Sequence, residues 1–334
     1  MKKLFIFVMF FIFSNISLAS QNKYIGVCFH PEKINISNDV LLKVLNKYKF
    51  NSFRTDYRWS NIETKKGVFN PPNERLDKII VDSINKYNIT PLIILGYKND
   101  LYGPGKPISP EYLEGFSNYV TWVANRYKND KIIYEIYNEW WHDDFKSNSS
   151  VNDKISSMNY LSLIKKASVI IKEIDPNALI IAGSMNPLDQ RHIDWMNSMM
   201  GAGLLKYVDG VSIHPYSVKN PETDFIRIDR FEKELRSKYN EGRDVDIYIS
   251  EMGYSDSIQG KLLASRQEQY AKEYMDLVND RNYIKGIWWY QLINEKNVSS
   301  YESNFGLLNS DLTEKNIMKG FKNSKILNEI SANK

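Results

Sequence analysis

The stretch KIIYEIYNEWW, residues 131–141, combines a buried strand with the residue types of a reaction centre. Its first seven residues are mostly β-branched or aromatic, a composition typical of a β-strand that is covered on both faces. The run ends in Asn138 and Glu139, and two tryptophans follow. Because a strand is a rigid mount for the side chains at its end, this strand end is the first candidate for a functional site.

Seven similar runs recur along the chain, and segments with apolar residues at helical spacing separate them. No linker, charge block or internal repeat interrupts residues 24–323. Eight strands, each followed by a helix or a long loop and without a glycine-rich dinucleotide loop, predict a single-domain (β/α)8 TIM barrel over residues 20–334. An open doubly wound sheet is the alternative. The other predicted strands are YIGVCF (24–29), FNSFR (50–54), TPLIIL (90–95), ALIIAG (178–183), VDGVSI (208–213), VDIYIS (245–250) and IKGIWWYQL (284–292).

Residues 1–19 have the three parts of a secretory signal peptide. These are the basic pair Lys2 and Lys3, an apolar run and small residues that end at Ala19. We therefore predict cleavage after Ala19, export to the periplasm or the extracellular space, and no membrane insertion afterwards. A retained N-terminal anchor is the alternative. The only cysteine, Cys28, has no partner for an internal disulfide.

The composition argues against several classes of partner. Cleavage would leave 42 basic and 40 acidic residues among 315, a balance that gives no support to nucleic acid or an anionic membrane as a partner. Four histidines and one cysteine, without HExxH spacing, give no support to a metal or another cofactor. The chain is rich in aromatic residues, with seven tryptophans and 22 tyrosines. This composition is compatible with sugar binding, because aromatic faces pack well against sugars. We expect a monomer that binds a polysaccharide or oligosaccharide substrate.

A second polar strand end complements the first. YISEMGYS, residues 248–255, places Glu251 at the end of the predicted seventh strand, as Glu139 follows the fourth. Barrel closure brings the carboxyl ends of both strands to one pocket. Glycoside hydrolysis requires two carboxylates across a sugar-sized gap, one to protonate the leaving oxygen and one to attack the anomeric carbon or activate water. Glu135, inside the same strand as Glu139, is better interpreted as a barrel-interior carboxylate paired with an arginine.

The two motifs resemble the acid/base and nucleophile motifs of the retaining (β/α)8 glycosidases of clan A. NSFRTDYRWSNIE at strand two resembles the clan's arginine-bearing segment, SIHPY at strand six its His-x-Tyr motif, and GIWWYQL at strand eight its terminal tryptophan. The resemblance covers nearly the whole chain after the signal peptide. Within the clan it is most similar to glycoside hydrolase family 39 and the exopolysaccharide hydrolases near it. The motif WSNIETKKGVF, residues 59–69, is shared with neighbouring families.

The resemblance implies that Glu139 is the acid/base and Glu251 the nucleophile, and that no cofactor is needed. Asn138 is expected to hydrogen-bond the sugar 2-hydroxyl. Arg54 is expected to lower the pKa of Glu251, with Tyr216 as a second donor to that carboxylate. For Glu139 we expect a pKa raised by an apolar surround of Trp140 and Trp141. The full set of predicted substrate-binding residues is Asn138, Arg54, His214, Tyr216, Trp289, Trp140 and His30.

Aromatic residues near other strand ends are weaker candidates. Trp288 and Trp289 project to opposite faces of a regular strand, and the family resemblance favours Trp289 as the sugar platform. The helical Trp122 and Trp195 are assigned to the core. Residues that could form further subsites, although each alone is more readily a loop residue, are Tyr57, Trp59, Tyr97, Lys98 and Tyr254.

The sequence therefore predicts a secreted, retaining, endo-acting β-glycoside hydrolase that cleaves a polysaccharide, with a bacterial exopolysaccharide or capsule as the expected substrate. Two alternatives stay open. A non-catalytic glycan-binding barrel would keep the aromatic residues and lose a catalytic carboxylate. A transglycosylase would keep every residue named here and differ only in the acceptor that intercepts the glycosyl-enzyme.

Overall fold

The computed structural model describes residues 23–72, 74–146, 149–295 and 299–332, so the predicted signal peptide lies outside the described residues. Eight parallel strands pair in chain order, and the eighth pairs back with the first to close a barrel. This closure confirms the predicted (β/α)8 barrel in place of the open sheet. The strands are β1 Tyr24–Cys28, β2 Ser52–Arg58, β3 Thr90–Gly96, β4 Ile133–Ile136, β5 Leu179–Met185, β6 Gly210–Ile213, β7 Ile247–Met252 and β8 Ile284–Tyr290.

Helices follow the strands and cover the outside of the barrel. Capping residues set several of their first turns, as where the Ser109 hydroxyl accepts from the Tyr112 amide and Pro110 takes the first helical position. Among the described residues, no helix combines the length and the apolar character needed to cross a bilayer. The helices are α1 Asn38–Lys47, α2 Trp59–Ile62, α3 Glu74–Tyr87, α4 Pro110–Arg126, α5 Trp141–Asp144, α6 Ser150–Ile174, α7 Gln190–Gly201, α8 Pro221–Tyr239, α9 Ala264–Asn279, α10 Asn316–Lys322 and α11 Lys325–Ala332, with 3-10 turns at Pro31–Lys33, Leu204–Lys206, Ile258–Gly260 and Glu302–Asn304.

The period-two alternation of the strands divides the apolar core into two layers. Outward side chains pack against the helices, whereas a smaller inward set fills the barrel. We call the inward rings of Trp288, Tyr24 and Tyr248 the barrel floor, since Tyr24 and Tyr248 lie near the amino-terminal ends of β1 and β7 and the ring of Trp288 stacks against both. Gly26 makes room for this floor, because a Cβ at that position would lie 2.3 Å from Cδ1 of Trp288.

Strand β2 is longer than predicted and changes how the site is mounted. The prediction ended this strand at Arg54, but pairing with β3 continues to Arg58. Arg54 therefore lies in mid-strand, in register with Cys28 of β1 and Leu92 of β3. Its inward side chain forms a polar layer between the barrel floor and the carboxyl-terminal ends of the strands, where barrel enzymes carry their chemistry.

Candidate active site

The segment that carries Glu139 leaves β4 through an unusual backbone. β4 ends at Ile136, and both Tyr137 and Glu139 have positive φ angles, 61° and 45°. Non-glycine residues in this region cost about 1–3 kcal/mol each, so the surrounding structure must hold them in place. Two contacts do so: Nε1 of Trp141 donates to the Ser184 carbonyl at 2.8 Å, and the Lys106 ammonium donates to the carbonyl of Trp140.

The two predicted catalytic carboxylates face each other across His214. Nδ1 of His214 lies 2.9 Å from Oε1 of Glu139 and 3.2 Å from Oε2 of Glu251. The imidazole is 1% exposed, whereas the carboxylates of Glu139 and Glu251 are 26% and 13% exposed. One oxygen of each glutamate and the imidazole nitrogen all lie within 4.8 Å of one another. This spacing agrees with the short carboxyl separation of about 5–5.5 Å that retaining glycosidases use.

Arg54 connects this pair to the barrel interior. Its guanidinium, 3% exposed, donates from Nε to Oε2 of Glu135 at 2.7 Å and from Nη1 to Oε1 of Glu251 at 3.1 Å. The third branch, Nη2, donates to Oδ1 of Asn138 at 2.6 Å. Because the amide oxygen of Asn138 accepts from this donor, its NH2 group can act as a donor. The interpretation of Glu135 as an arginine partner is confirmed.

The charge of Arg54 does lower the pKa of Glu251 as predicted, but the net pKa direction of each carboxylate is the opposite of the expected one. Burial alone would raise the pKa of Glu139, but the hydrogen bond and charge of His214, with the charge of Arg54, hold it below its usual value. Burial raises the pKa of Glu251, against the opposing charges of His214 and Arg54, and the negative charges of Glu139 and Glu135 add to the rise. The prediction failed because Glu251 is the more deeply buried carboxylate and because His214 hydrogen-bonds Glu139.

The prediction of Trp140 as a substrate-binding residue is also wrong. Trp140 is buried, stacks on Tyr160 at 5.3 Å and meets the edge of Tyr137 at 4.9 Å. Its ring therefore turns into the core below the strand ends. The raised pKa that was expected for Glu139 from an apolar surround is not found, since that pKa lies below its usual value.

Trp289 is not a sugar platform. It pairs with Val27 of β1 on the outward face of β8, whereas Trp288 points inward. The ring is 0% exposed and packs against Phe321, Tyr254 and Tyr274 at centroid distances of 4.8, 5.4 and 6.0 Å. Tyr290, the partly exposed last residue of β8, is instead close to Glu251: burial and then the charge of Glu251 raise its pKa.

The burial of Trp289 predicts a stability effect without a binding effect. Trp289→Ala should lower the free energy of unfolding by about 3–5 kcal/mol, because it removes a large ring from a packed layer. Glycan affinity of the folded fraction should not change. Denaturant titration and glycan-binding calorimetry would test this, with Tyr290→Ala as the matched variant that should weaken binding. A weaker glycan affinity of Trp289→Ala at unchanged stability would contradict this placement.

The other predicted binding residues have mixed outcomes. Tyr216 packs edge-on against Phe305 at 6.1 Å, and burial and the charge of Glu251 raise its pKa. Within the described part of the chain, however, no hydrogen bond joins its hydroxyl to Glu251, so that expected contact is not made. His30 ends β1 with Nδ1 3.7 Å from Oδ2 of Asp56, and its role in substrate binding stays a prediction.

The weaker subsite candidates separate into two groups. Tyr57, Trp59 and Tyr254 are buried and belong to the core, as Trp195 does. Tyr97 and Lys98 instead line a cavity of about 360 Å3 at the ends of β2, β3 and β4, beside the segment that carries Glu139. Its other lining residues are Arg58, Ser60, Asp100, Gly105, Lys106, Tyr137 and Asp143.

Two polar groups of the site escaped the sequence analysis. Asp56 is buried at the end of β2, where it accepts from Arg58 at 2.6 Å and from the Tyr97 hydroxyl at 2.9 Å. The alternation of Arg54, Asp56 and Arg58 was the available signal, since a period of two places all three on one face of a strand. Ser250, which precedes Glu251 inside β7, carried no signal of its own.

Three side chains of the candidate site lie unusually close together. In the ranges that the structure describes, Glu139, His214 and Glu251 are the one group of three ligand-bearing side chains at metal-binding spacing. Nδ1 of His214 lies at hydrogen-bond distance from both carboxylates, 2.9 and 3.2 Å, and these hydrogen bonds account for the spacing. The prediction of an enzyme without a metal or cofactor stays a prediction.

Comparison with known proteins identifies the family. The family model described as cellulase (glycosyl hydrolase family 5) matches residues 18–294, most of the chain. The chain belongs to glycosyl hydrolase family 5. Family 5 lies in clan A, so the predicted clan and the assignment as a retaining glycoside hydrolase are confirmed. The motifs had pointed to family 39, a finer placement that the family model does not share.

Solved structures similar to this family 5 chain include three glycosidases of clan A families. A family 39 enzyme from Bacteroides cellulosilyticus WH2 has 21% identity and a TM-score of 0.74, covering 92% of this chain and 65% of its own. Xylanase 10B from Thermotoga maritima has 18% identity and a TM-score of 0.68, and the match covers 94% of this chain and 98% of the xylanase chain. GH5_18 from Streptomyces cattleya has 12% identity and a TM-score of 0.71, and the match covers 94% of this chain and 80% of the GH5_18 chain. At these identities the likeness shows the fold alone. No curated protein matches the chain significantly.

Proposed function

We propose that this family 5 glycoside hydrolase is an exported, monomeric, endo-acting β-glycosidase that cleaves a bacterial exopolysaccharide or capsule. The catalytic activity in this proposal rests on one observation: Glu139 and Glu251 face each other, with an oxygen of each within 4.8 Å of the other, around one buried imidazole. A retaining double displacement requires two carboxylates at this short separation.

The chemistry follows from the position of each group. An oxygen of Glu251 attacks the anomeric carbon while Glu139 donates its proton to the glycosidic oxygen, and the bond between that carbon and oxygen breaks. Water then gives a proton to Glu139 as its oxygen attacks the same carbon, and the ester bond to Glu251 breaks. The configuration at the anomeric carbon is retained. Asn138 is placed to donate its amide hydrogens to the sugar 2-hydroxyl in both steps.

The choice of a polysaccharide rests on the space beside the centre. The 360 Å3 cavity at the ends of β2 to β4 adds room next to the reacting sugar. Tyr97 and Tyr137 offer aromatic surface there, and Arg58 and Lys98 offer donors to hydroxyl or acidic groups. Several sugar units in line would use such a surface. The proposal that the enzyme is exported rests only on residues 1–19, which have the pattern of a signal peptide.

The first test is glycan digestion. Cells expressing the full chain should export a protein whose N-terminus is Ser20, and this protein should release reducing ends from one member of a panel of β-linked polysaccharides that includes the producer's own surface glycan. Oligosaccharide products, rather than monosaccharide alone, would support endo action. Release of equal product by Glu251→Gln would contradict the assignment.

The two alternative functions are outcomes of the same experiment. Glycan binding without cleavage, equal for wild type and variant, would favour a non-catalytic binding barrel. Products longer than the supplied glycan, seen after an acceptor sugar is added, would favour a transglycosylase. Protein that stays in the membrane fraction with its first residues intact would favour the retained anchor.

A further inference from the structure

A row of buried hydrogen bonds leads from the barrel interior to the catalytic carboxylates, and the mechanism above does not use it. The Ser250 hydroxyl lies 2.7 Å from Oε1 of Glu135 on one side and 3.0 Å from Nε2 of His214 on the other. All three side chains are almost completely buried. The opposite ring nitrogen of His214, Nδ1, faces Glu139 and Glu251.

The direction of these hydrogen bonds follows from the donors present. Glu135 accepts from Nε of Arg54 at 2.7 Å and from the Ser184 hydroxyl at 2.8 Å. Burial would raise the pKa of Glu135, but the charge of Arg54, followed by that of His214, holds it below its usual value. An ionised carboxylate only accepts hydrogen bonds, and a serine hydroxyl has one hydrogen to give. Ser250 therefore donates to Glu135 and must accept from His214, so Nε2 of the imidazole carries a hydrogen.

This tautomer determines what Nδ1 can do. With hydrogen on Nε2, a neutral His214 has a lone pair at Nδ1, and that lone pair can bond only to a carboxyl group that carries a proton. If both Glu139 and Glu251 are ionised, the ring must be an imidazolium that donates from Nδ1. A neutral ring between two ionised carboxylates would place lone pairs against each other at 2.9 and 3.2 Å. Either acceptable arrangement keeps one proton among the three groups.

We propose that Glu135 and Ser250 form a positioning relay that fixes His214 in its Nε2–H form, so that Nδ1 and Glu139 share the proton destined for the leaving group. The inference rests on the proposed function, because it requires Glu139 to be the acid/base. Ser250 and Glu135 are positioning residues, since they act only through the imidazole.

The proton balance of the two half-reactions agrees with this role. In the first, the shared proton leaves through Glu139 to the glycosidic oxygen, whether it began on that carboxyl or on Nδ1. In the second, water returns one proton to Glu139 as its oxygen bonds to the anomeric carbon and the ester to Glu251 breaks. The centre ends with the proton it began with, and no other reactant is needed.

The charged groups around His214 come from several elements. Glu135 and Glu139 approach from β4 and the segment after it, and Glu251 approaches from β7. Arg54 of β2 lies on the far side of Glu135 and Glu251, and His192 of α7 is near enough to feel the charge of His214. A change at Ser250 removes none of these charges. Its effect therefore reports the tautomer rather than the electrostatic field.

The direct test is nitrogen NMR of the wild-type chain labelled with 15N-histidine, with His214→Gln to identify the signals among the four histidines. We expect a hydrogen on Nε2 of His214 at every pH at which the protein is folded. A neutral ring with its hydrogen on Nδ1 and a lone pair on Nε2 would overturn the relay. This result needs no substrate, so it separates failure of the relay from failure of the proposed function.

The kinetic test compares Ser250→Ala with Ser52→Ala, a matched loss of a buried hydroxyl that bonds the Thr90 carbonyl and Trp288 in the barrel floor. The probes are the glycan cleaved in the digestion panel and the 2,4-dinitrophenyl glycoside of its repeating unit. For Ser250→Ala we expect kcat/KM to fall about tenfold or more on the glycan, a part of the 10²–10⁴ that general acid catalysis supplies, and less than threefold on the activated probe.

The pH profile and a rescue variant complete the comparison. Ser250→Ala should shift the limb of the kcat/KM profile that reports the acid/base, and Ser250→Thr, which keeps the hydroxyl, should restore both the profile and the rate. Ser52→Ala should lose stability without a shift. Equal losses on both probes, or an unchanged profile in Ser250→Ala, would overturn the relay and leave Ser250 a packing residue.

Discussion

Glu251→Gln is expected to abolish glycan cleavage, with a loss in kcat of about four orders of magnitude or more, because an amide cannot act as the nucleophile. The fold should survive. The glutamine oxygen can still accept from Nη1 of Arg54, which now bonds Oε1 of Glu251 at 3.1 Å. Removing a carboxylate that lies close to Glu139 also relieves repulsion between like charges. Reducing-end release, calorimetric glycan binding and thermal unfolding would measure the three quantities.

The matched control for this substitution is Glu241→Gln, the same chemical change at an exposed loop position whose side chain is 88% exposed. It should behave as wild type in every assay. If Glu251→Gln kept more than a few per cent of the activity, another group would have to form the bond to the anomeric carbon. If it lost both activity and glycan binding while folded, Glu251 would be a binding residue.

Glu139→Ala is expected to make the rate depend on the leaving group. On the natural glycan, kcat/KM should fall about 10²–10⁴-fold, the share that general acid catalysis supplies. On a 2,4-dinitrophenyl glycoside the first step should be nearly unchanged, because that leaving group departs without a proton. The pH profile should lose the limb that reports the acid/base. Steady-state kinetics with both substrates over a range of pH would measure this.

The control for Glu139→Ala is Glu111→Ala, which removes a carboxylate that is 73% exposed on the first turn of α4. It should leave both substrates and the pH profile unchanged. Equal losses of Glu139→Ala on activated and unactivated substrates would count against the acid role. They would point instead to a backbone change, since the positive φ of residue 139 is held by contacts around it.

The fold and the facing positions of Glu139 and Glu251 could be predicted because they depend on local pattern. Alternation of strand and helix periods predicts a barrel, and polar residues at the ends of buried strands predict its site. Glu139 and Glu251 could be found in this way although 112 positions separate them. The same rule missed Asp56, because β2 was expected to end at Arg54 and continues to Arg58.

Side-chain direction and proton affinity could not be predicted, because they depend on partners distant in sequence. Period two says that Trp288 and Trp289 face opposite ways, but only the closed barrel shows that Trp289 faces the helices. Trp140 follows Glu139 in sequence and turns into the core against Tyr160. The pKa directions likewise follow from tertiary structure: burial raises the pKa of Glu251, whereas the hydrogen bond and charge of His214, just after β6, outweigh burial and lower the pKa of Glu139.

The barrel floor has a consequence for the second half of the reaction. In the described part of the chain, Trp288, Tyr24 and Tyr248 pack inside the barrel below Arg54 and Glu135, so we expect the two carboxylates to be reached from the carboxyl-terminal ends of the strands. The hydrolytic water must arrive through the same opening that admits the glycan, after the departing chain has cleared it. Water and the hydroxyl of an acceptor sugar therefore reach the glycosyl-enzyme through the same opening and compete for it. We therefore expect the residence time of the released fragment to influence the balance between hydrolysis and transfer to a second sugar.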